Sequence, residues 1–482
     1  MLLPAHLLAN FTGWVAKKNG RGSRPQAFVF PPMSSVEPPT QTNNGARAHL
    51  HRERLQLAVL CWTLFTGGWN DGSNGPLIPR MQQVYHVNYT IVSLIFIFQC
   101  FGSTVGAVGN IALIKRFGFG KLVIFGACLQ LVAYAIQACD LPFPVFLLGS
   151  VINGIGGAVK TAQANGYAVG LSTNAELKIG LLQASYGVGA LIAPLAATQF
   201  AQFSGRKWAF YYLTSLGVIV INTINLTLVF RGRTQEDCLA DIGQEFREKE
   251  KEGNKGHLRQ ILSTKAAHML ALFLFVYVGT EVSIGGWIVS FLISRRGGGA
   301  ATGYVSSGFF GGLTLGRVIL IPINKRLGER RVVFIYGVIA IGLELVIWLV
   351  HSLIGDAIAV SFVGLVMGPL FPIAITHTTK VFPPWLVTGA VGWATGAATV
   401  GAAIMPFVTG VISNRAGITA LEPVVIAMLA IMVLSWMLVP GTQIEATEVV
   451  VEEAQSKTDS DEKSSVGEQS LPVLSIADGA TD

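Results

Sequence analysis

The chain has 482 residues, of which 51% are hydrophobic and only 13% carry a charge. A soluble protein with an ordinary polar surface has about 25% charged residues, so the composition excludes that class and favours a membrane protein. The formal net charge of +7 does not indicate a nucleic-acid partner, because the basic residues form short clusters between long apolar runs. We interpret these clusters as signals of membrane topology.

Twelve apolar stretches follow one another along the chain. A helix needs roughly 20 apolar residues to cross a hydrocarbon core of ~30 Å. In chain order the stretches of this kind are Leu57 to Pro79, Thr90 to Ile114, Leu122 to Cys139, Val145 to Leu171, Gly180 to Phe203, Trp208 to Phe230, Ala267 to Ile293, Gly303 to Ile323, Val332 to His351, Asp356 to Val381, Leu386 to Ser413 and Leu421 to Val439. We therefore predict an all-α membrane protein with twelve transmembrane helices.

These spans divide the chain into five segments. They are an N-terminal tail (1–54), an N-terminal six-helix bundle (55–230), a linker (231–266), a C-terminal six-helix bundle (267–440) and an acidic tail (441–482). The tails and the linker are polar, which predicts solvated and disordered segments. Lys and Arg concentrate in the loops on the side of the tails, so we predict that both termini are cytosolic and expect the plasma membrane as the location.

The two predicted bundles repeat one another. A shift of 210 positions superposes residues of unusual chemistry. The matched pairs are Asp71 with Glu281, Gly75 with Gly285, the loop 116–121 with 326–331 and, after a slip of two more residues, 189–194 with 401–406. Such a repeat is expected of transporters whose halves are related by an axis along the membrane normal. It predicts two pseudo-symmetric bundles with a central cavity between them.

These features resemble the major facilitator superfamily. The basic, glycine-containing turns after the second and eighth helices resemble its inner-loop signature, although Ile114 and Asn324 replace the usual Asp. Within the superfamily, the segments 68–79, 163–166 and 279–287 resemble the fucose permease branch of fucose/galactose/glucose proton symporters, especially its fungal members. The resemblance implies the major facilitator fold and transport of a small solute.

Two carboxylates are predicted to lie at membrane depth, Asp71 and Glu281. An ionised carboxylate at mid-bilayer costs ~2.5 to 3.5 kcal/mol, so both should face protein or water. Asn70 and Asn74 are four residues apart on one helical face beside Asp71, and their amides suit hydroxyl groups. We predict that these four residues bind substrate or couple protons. The alternative is that their polar groups join neighbouring helices.

The fourth predicted helix carries a second polar face. Its members are Asn153, Lys160 and Gln163, with Asn165 beside them. Lys160 needs a partner, and its backbone lies ~13 Å in depth from that of Asp71, so an ion pair between them is left open. The fucose permease resemblance implies an acid where Thr161 stands. Either Asp71 alone exchanges protons while Lys160 tunes its affinity, or the chain is a uniporter.

Four further residues are candidates for solute binding: Gln183, Trp287, His377 and Trp393. Aromatic rings can stack on the apolar faces of a sugar, and amides can bind its hydroxyls. The alternative for each of them is a packing role.

The cysteines and histidines predict neither a metal site nor an enzyme. Cys61, Cys100, Cys128, Cys139 and Cys238 lie mostly in apolar runs without zinc-ligand or disulfide spacing, so we expect buried apolar side chains. The sequence contains no His-x-x-x-His pair and no Walker loop. We therefore expect no metal and no cofactor.

The leading hypothesis is proton-coupled uptake of a small polar solute, a monosaccharide, by alternating access. One alternative is efflux of a drug or metabolite by proton antiport, and another is a nutrient sensor that does not transport. The expected partners are the solute, protons and the lipid bilayer, and we expect a monomer.

Overall fold

The computed structural model describes residues 43–171, 174–244 and 254–441. The two tails and the linker were predicted to be disordered. Residues 1–42 and 442–482 of the tails and residues 245–253 of the linker lie outside the described part.

Sixteen α-helices make up the described part of the chain. The N-terminal half contains α1 (Asn43–Tyr85), α2 (Tyr89–Phe117), α3 (Phe119–Ala138), α4 (Phe143–Gly170), α5 (Ala175–Ala201) and α6 (Tyr211–Phe230). Two short helices follow, α7 (Gln235–Ala240) and α8 (Asn254–Ser263). The C-terminal half contains α9 (Lys265–Arg296), α10 (Tyr304–Ile319), α11 (Ile321–Leu327), α12 (Glu329–Leu349), α13 (Leu353–Met367), α14 (Leu370–Val381), α15 (Pro384–Ala416) and α16 (Leu421–Leu438).

The predicted fold class is confirmed. Among the described residues, ten spans are long and apolar enough to cross a membrane, with α13 and α14 counted as one, and the α10–α11 pair forms an eleventh, bent by 56°. The bend falls next to Pro322, which lacks the N–H that a continuous helix would use. The first helix, α1, is the remaining predicted span, and its middle is less apolar because it contains Asn70, Asp71 and Asn74.

One boundary differs from the prediction. The first helix begins at Asn43, whereas its membrane span was predicted from Leu57 and the tail was predicted to reach residue 54. An apolar run marks only the part of a helix that lies in lipid. The Arg, Glu, Gln and Leu residues before it are good helix formers, so the helix continues into the polar region.

The expectation that the cysteines are buried is wrong for two of them. Cys128 and Cys139 are exposed, and Cys238 is buried. An apolar run predicts that a segment lies in the membrane, but a membrane helix is apolar on its lipid-facing side as well as on its protein side. The run therefore does not show which residues of α3 face the protein.

The internal repeat is visible in how the helices touch. A Cβ atom on Gly102 in α2 would lie 2.1 Å from the carbonyl oxygen of Val151 in α4. The equivalent atom on Gly312 in α10 would lie 2.1 Å from the carbonyl oxygen of Ser361 in α13. Each contact maps onto the other by the 210-residue shift. Both halves therefore use the same small residues to bring the same pair of helices into backbone contact.

A second pair of contacts repeats with the slip of two residues found between 189–194 and 401–406. A Cβ on Gly189 in α5 would lie 2.2 Å from the carbonyl oxygen of Phe65 in α1. A Cβ on Gly401 in α15 would lie 2.1 Å from that of Phe275 in α9. This places α5 against α1 in one half and α15 against α9 in the other.

The two halves meet closely at one end of the bundle. We call the end at which α1 begins and α16 ends the inner end, and the opposite end the outer end. At the outer end α1 crosses α9, and a Cβ on Gly75 would lie 2.2 Å from the carbonyl oxygen of Gly285. Farther out, the rings of Tyr89 and Trp287 lie 5.8 Å apart, and Gln199 donates a hydrogen bond to Tyr304. We call these contacts the outer seal.

The glycine contacts generate a test of the fold. We expect Gly312→Ala to destabilise the protein by about 1–3 kcal/mol, because the added methyl group overlaps the Ser361 carbonyl and the helices must move apart. Gly342→Ala is the matched control, since a Cβ at this α12 position meets nothing within 4 Å. It should stabilise the helix by up to ~1 kcal/mol. Thermal unfolding of the purified protein measures both, and an unchanged melting temperature for Gly312→Ala would contradict the packing.

Candidate functional site

A cavity of about 360 Å³ lies on the inner side of the α1–α9 crossing. Residues of both halves line it, including both predicted carboxylates. Its polar lining residues are Asp71, Asn74, Gln99, Ser103, Tyr186, Glu281, Thr395 and Thr399. Its aromatic lining also includes Phe96, Phe310 and Phe371. The predicted central cavity is therefore present, and Asp71 and Glu281 each face it one helical turn inward of Gly75 and Gly285.

Asp71 is held by neutral hydrogen-bond donors from three helices. The Tyr186 hydroxyl of α5 donates to its Oδ2 at 2.7 Å. The Gln99 amide of α2 donates to its Oδ1 at 3.2 Å, and the neighbouring Asn70 amide donates to the same oxygen at 3.0 Å. No ion pair to Asp71 occurs among the described residues. The carboxylate is thus oriented without a compensating cation.

Asn70 extends this network into α3 and α4. Its side-chain oxygen accepts from the Asn153 amide at 2.5 Å and from the Tyr134 hydroxyl at 3.3 Å. The Asn153 oxygen in turn accepts from the Gln130 amide at 2.6 Å. A continuous chain of amides therefore links the cavity carboxylate to the buried centre of the N-terminal half, and a change at Asp71 has a direct route to α4.

Glu281 occupies the equivalent position in the C-terminal half but has different surroundings. The positive charge of Arg317 in α10 acts on it electrostatically, but among the described residues the two side chains form no ion pair, and the Tyr277 hydroxyl donates to the Met367 carbonyl at 3.2 Å. The two halves place a carboxylate at equivalent positions, but the side chains around Asp71 and Glu281 differ in charge. Glu281 has a cation of its own half nearby, and Asp71 has hydrogen-bond donors.

Lys160 does not pair with Asp71. Its ammonium group donates to the Thr66 hydroxyl at 2.8 Å, and the side chain is only 1% exposed. Thr66 lies five residues before Asp71 in α1, about 7.5 Å farther toward the inner end. The side chain is also packed tightly, since a Cβ on Gly126 of α3 would lie 3.0 Å from its Cγ. The ion pair that the sequence left open is absent, because Lys160 reaches α1 inward of the acid.

The inner part of α4 carries the other two predicted residues. Gln163 is buried and donates to the side-chain oxygen of Asn110 in α2 at 2.6 Å. The Asn165 side-chain oxygen is buried and has no hydrogen-bond partner among the described residues. Neither residue lines the central cavity, so the structure places them on the inner side of it.

Four predicted residues lie away from the cavity. Gln183 is exposed on α5. Trp287 is fully buried, donates to the Pro406 carbonyl at 2.9 Å and belongs to the outer seal. His377 contacts the Pro440 carbonyl at 2.8 Å, and Trp393 is 39% exposed. Sequence position gave no information on which way these side chains point.

Several residues of the site were not predicted. Gln99 and Tyr186 bind Asp71 directly, and Gln130 and Tyr134 complete the amide network. Gln99 and Gln130 had a usable signal, since each interrupts an apolar run with an amide. Tyr186 had a weaker one, because tyrosine is common in membrane helices near the interface as well as in sites.

A buried acidic cluster lies at the outer end of the C-terminal half. Arg296 donates to Asp356 at 2.6 Å, with side-chain exposures of 4% and 0%. Glu344 and Glu422 are buried and interact with each other nearby. None of these residues lines the central cavity, and the ion pair joins α9 to α13 within one half.

Comparisons with known proteins agree with this architecture. The sequence profile of the Major Facilitator Superfamily matches residues 60–352. Bypass of stop codon protein 6 of Saccharomyces cerevisiae is 25% identical over 417 residues, which cover 80% of this chain and 82% of that protein. A glucose/galactose transporter of Brucella abortus is 24% identical over 407 residues, which cover 78% of this chain and 93% of that protein.

A solved structure shows the same fold. The fucose:proton symporter of E. coli superposes with a TM-score of 0.56 at 18% identity, covering 82% of this chain and all 100% of that one. The predicted resemblance to the fucose permease branch is thus supported at the level of fold. The repeated helix contacts, the cavity between the halves and the matching profile lead to one conclusion: this chain is a transporter that belongs to the Major Facilitator Superfamily.

Proposed function

We propose that this transporter takes up a small polyhydroxylated solute, a monosaccharide, together with protons by alternating access of its two halves. The observation that carries the proposal is the setting of Asp71. It faces a cavity between the halves and is held by Asn70, Gln99 and Tyr186 rather than by an ion pair within the described chain. Such a carboxylate can gain and lose a proton without breaking a salt bridge.

Glu281 is the less suitable proton carrier. The positive charge of Arg317 attracts the Glu281 carboxylate, although no ion pair joins the two among the described residues, whereas no cation acts on Asp71 in this way. Proton exchange at Glu281 would have to work against this attraction in every cycle. We therefore assign proton coupling to Asp71, and binding of the solute or organisation of the C-terminal half to Glu281.

The lining of the cavity suits a sugar. Its volume of about 360 Å³ lies at the small end of the range of roughly 300–1,000 Å³ for small-molecule sites. Phe96, Phe310 and Phe371 offer aromatic faces, while Asn74 and Gln99 offer amides that can bind hydroxyl groups. The names of two similar proteins, a glucose/galactose transporter and a fucose:proton symporter, support the same class of substrate.

In the proposed cycle, the outer seal closes the cavity toward the outer end. Gly75 and Gly285 bring the two halves into backbone contact directly outside the carboxylates, and Tyr89 packs on Trp287 beyond them. Access from the outer end requires these contacts to separate. We assign Trp287 to this seal rather than to the solute.

Asp71→Asn tests the proton-coupling role. We expect the variant, reconstituted into liposomes with D-glucose, D-galactose or L-fucose, to lose at least tenfold of uptake driven by a pH gradient, because Asn cannot carry a proton. Exchange of sugar across the membrane without a gradient should persist, since Asn retains polar contacts in the cavity.

The control for that experiment is Glu344→Gln, which alters a buried acid outside the cavity. It should retain gradient-driven uptake. Intact pH-driven uptake by Asp71→Asn would exclude Asp71 as the coupling group, and loss of both uptake and exchange in a protein with a normal melting temperature would point to solute binding instead.

Lys160→Met tests whether the buried lysine serves transport or the fold. An unpaired buried ammonium group destabilises a protein, and Thr66 keeps a second hydrogen bond to the Thr63 carbonyl at 2.7 Å. We therefore expect an equal or higher melting temperature together with reduced uptake. Lys178→Met is the matched control, since it leaves the Glu53 carboxylate without its ion-pair partner and should lower the melting temperature. A fall in stability for Lys160→Met would show a structural lysine.

Labelling of Cys139 tests the proposed topology, in which the protein lies in the plasma membrane and both termini are in the cytosol. It is exposed at the outer end of α3, so a membrane-impermeant maleimide added to intact cells should label it, and Cys139→Ser should abolish the label. Cys238 serves as the internal control. Burial disfavours its thiolate and raises its pKa to about 11, so it should react slowly even in permeabilised cells. Labelling of Cys139 only after permeabilisation would reverse the assigned orientation or place the protein in an internal membrane.

A further inference from the structure

A second and larger hollow opens beside the inner end of the N-terminal half. It measures about 880 Å³ and lies between α1, α6 and the segment that follows α6. Its lining includes Arg52, Leu55, Gln56, Ala58, Val59, Trp62, Ile221, Asn225, Leu228, Val229, Arg231, Arg233 and Asp241. It is separate from the central cavity and shares no lining residue with it. We call it the inner groove.

One end of the inner groove is basic. Arg52, Arg231 and Arg233 surround a single carboxylate, Asp241. Arg233 binds Asp241 at 2.7 Å, and Arg52 stands 3.7 Å from the same carboxyl group with its side chain 60% exposed. Within the described residues, the Arg231 guanidinium donates to the backbone oxygen of Leu228 at 3.3 Å. Among the described residues that line this end of the groove, one carboxylate stands against three guanidinium groups, so the lining carries an excess of positive charge.

Beyond its basic end the groove is lined mainly by apolar side chains, at the depth of the membrane-spanning parts of α1 and α6. Leu55 and Trp62 share one face of α1, and Ile221 and Leu228 share one face of α6. Leu55, Ile221 and Leu228 are 48%, 50% and 65% exposed, which is expected of side chains in contact with acyl chains. From Arg231 to Ile221 the helix rises about 15 Å, half the thickness of a hydrocarbon core of ~30 Å.

Asn225 adds a polar group between the basic and apolar parts. It lines the groove six residues before Arg231, about 9 Å deeper along α6. An amide at this depth is placed to donate to an ester carbonyl below a headgroup. The sequence of charges, amide and apolar residues along the groove thus matches the order of groups along a phospholipid.

We propose that the inner groove binds one anionic phospholipid. The arginines hold its phosphate and anionic headgroup, Asn225 contacts the glycerol ester region, and an acyl chain lies along Trp62 and Ile221. A free phosphate would leave the apolar length of the groove unused. A zwitterionic lipid would not offset the excess positive charge.

The test uses the full-length protein and counts bound lipid by native mass spectrometry. The probes are phosphatidylserine, phosphatidylcholine and inorganic phosphate, each titrated into protein purified in neutral detergent. We expect one tight phosphatidylserine site, with phosphatidylcholine at least tenfold weaker and no competition from millimolar phosphate. Equal binding of both lipids, or displacement of phosphatidylserine by phosphate, would overturn the proposal.

Two groove variants and one control locate the site. Arg52→Gln with Arg231→Gln should weaken phosphatidylserine binding by about 30-fold, since each removes one charge from the headgroup region. Ala58→Trp should reduce binding without any change of charge, because it fills the groove. Lys115→Gln with Arg116→Gln removes two charges from the inner end of α2, outside the groove, and should leave binding unchanged. A loss of binding equal to that of the groove variant would show general attraction to the basic face instead of a site.

Discussion

The backbone contact of α1 with α9 determines where the chemistry of this protein lies. Gly75 and Gly285 permit the two helices to cross without side chains between them, and a larger residue at Gly75 would meet the Gly285 carbonyl at 2.2 Å. Asp71 and Glu281 stand one turn inward of this point, on helices from opposite halves. The crossing therefore closes the outer end and brings two carboxylates to one cavity, so closure and the site depend on the same pair of glycines.

The two halves share their backbone contacts but differ in the surroundings of the site. The glycine contacts of α2 with α4 and of α10 with α13 are equivalent residue by residue, since both depend on the absence of a side chain. The carboxylates are equivalent in position, but Tyr186 binds Asp71 whereas Arg317 acts on Glu281. Close packing between helices limits the residue types at the contact positions equally in both halves. The residue types that line the cavity are limited in each half only by what that half must bind.

The fold was predictable from the sequence to within a few residues for most spans, because apolar length is a direct requirement of the bilayer. The span predicted from Thr90 to Ile114 is the helix Tyr89–Phe117. The candidate site was predictable in part: Asp71, Asn74 and Glu281 line the cavity, and Asn70 and Asn153 connect to it. Trp287 lies in the outer seal instead. Around Trp287 the helix α9 is apolar on its lipid-facing side as well as on its protein side, so the hydrophobic pattern does not tell which face the tryptophan takes.

The two buried lysines, Lys178 and Lys160, differ in whether their charge stabilises the fold. Lys178 has a carboxylate partner in Glu53, so its charge contributes to joining α5 with α1. In the part of the chain that the structure describes, the Lys160 ammonium group has only the Thr66 hydroxyl as a partner, and a hydroxyl offsets little of the cost of burying an ammonium group. Lys160 shares α4 with Asn153, whose amide reaches Asp71 through Asn70, but lies seven residues, about 10.5 Å, farther toward the inner end. The stability of the closed state gains nothing from an unpaired buried charge, so in the proposed cycle Lys160 is assigned a role in transport instead of the fold.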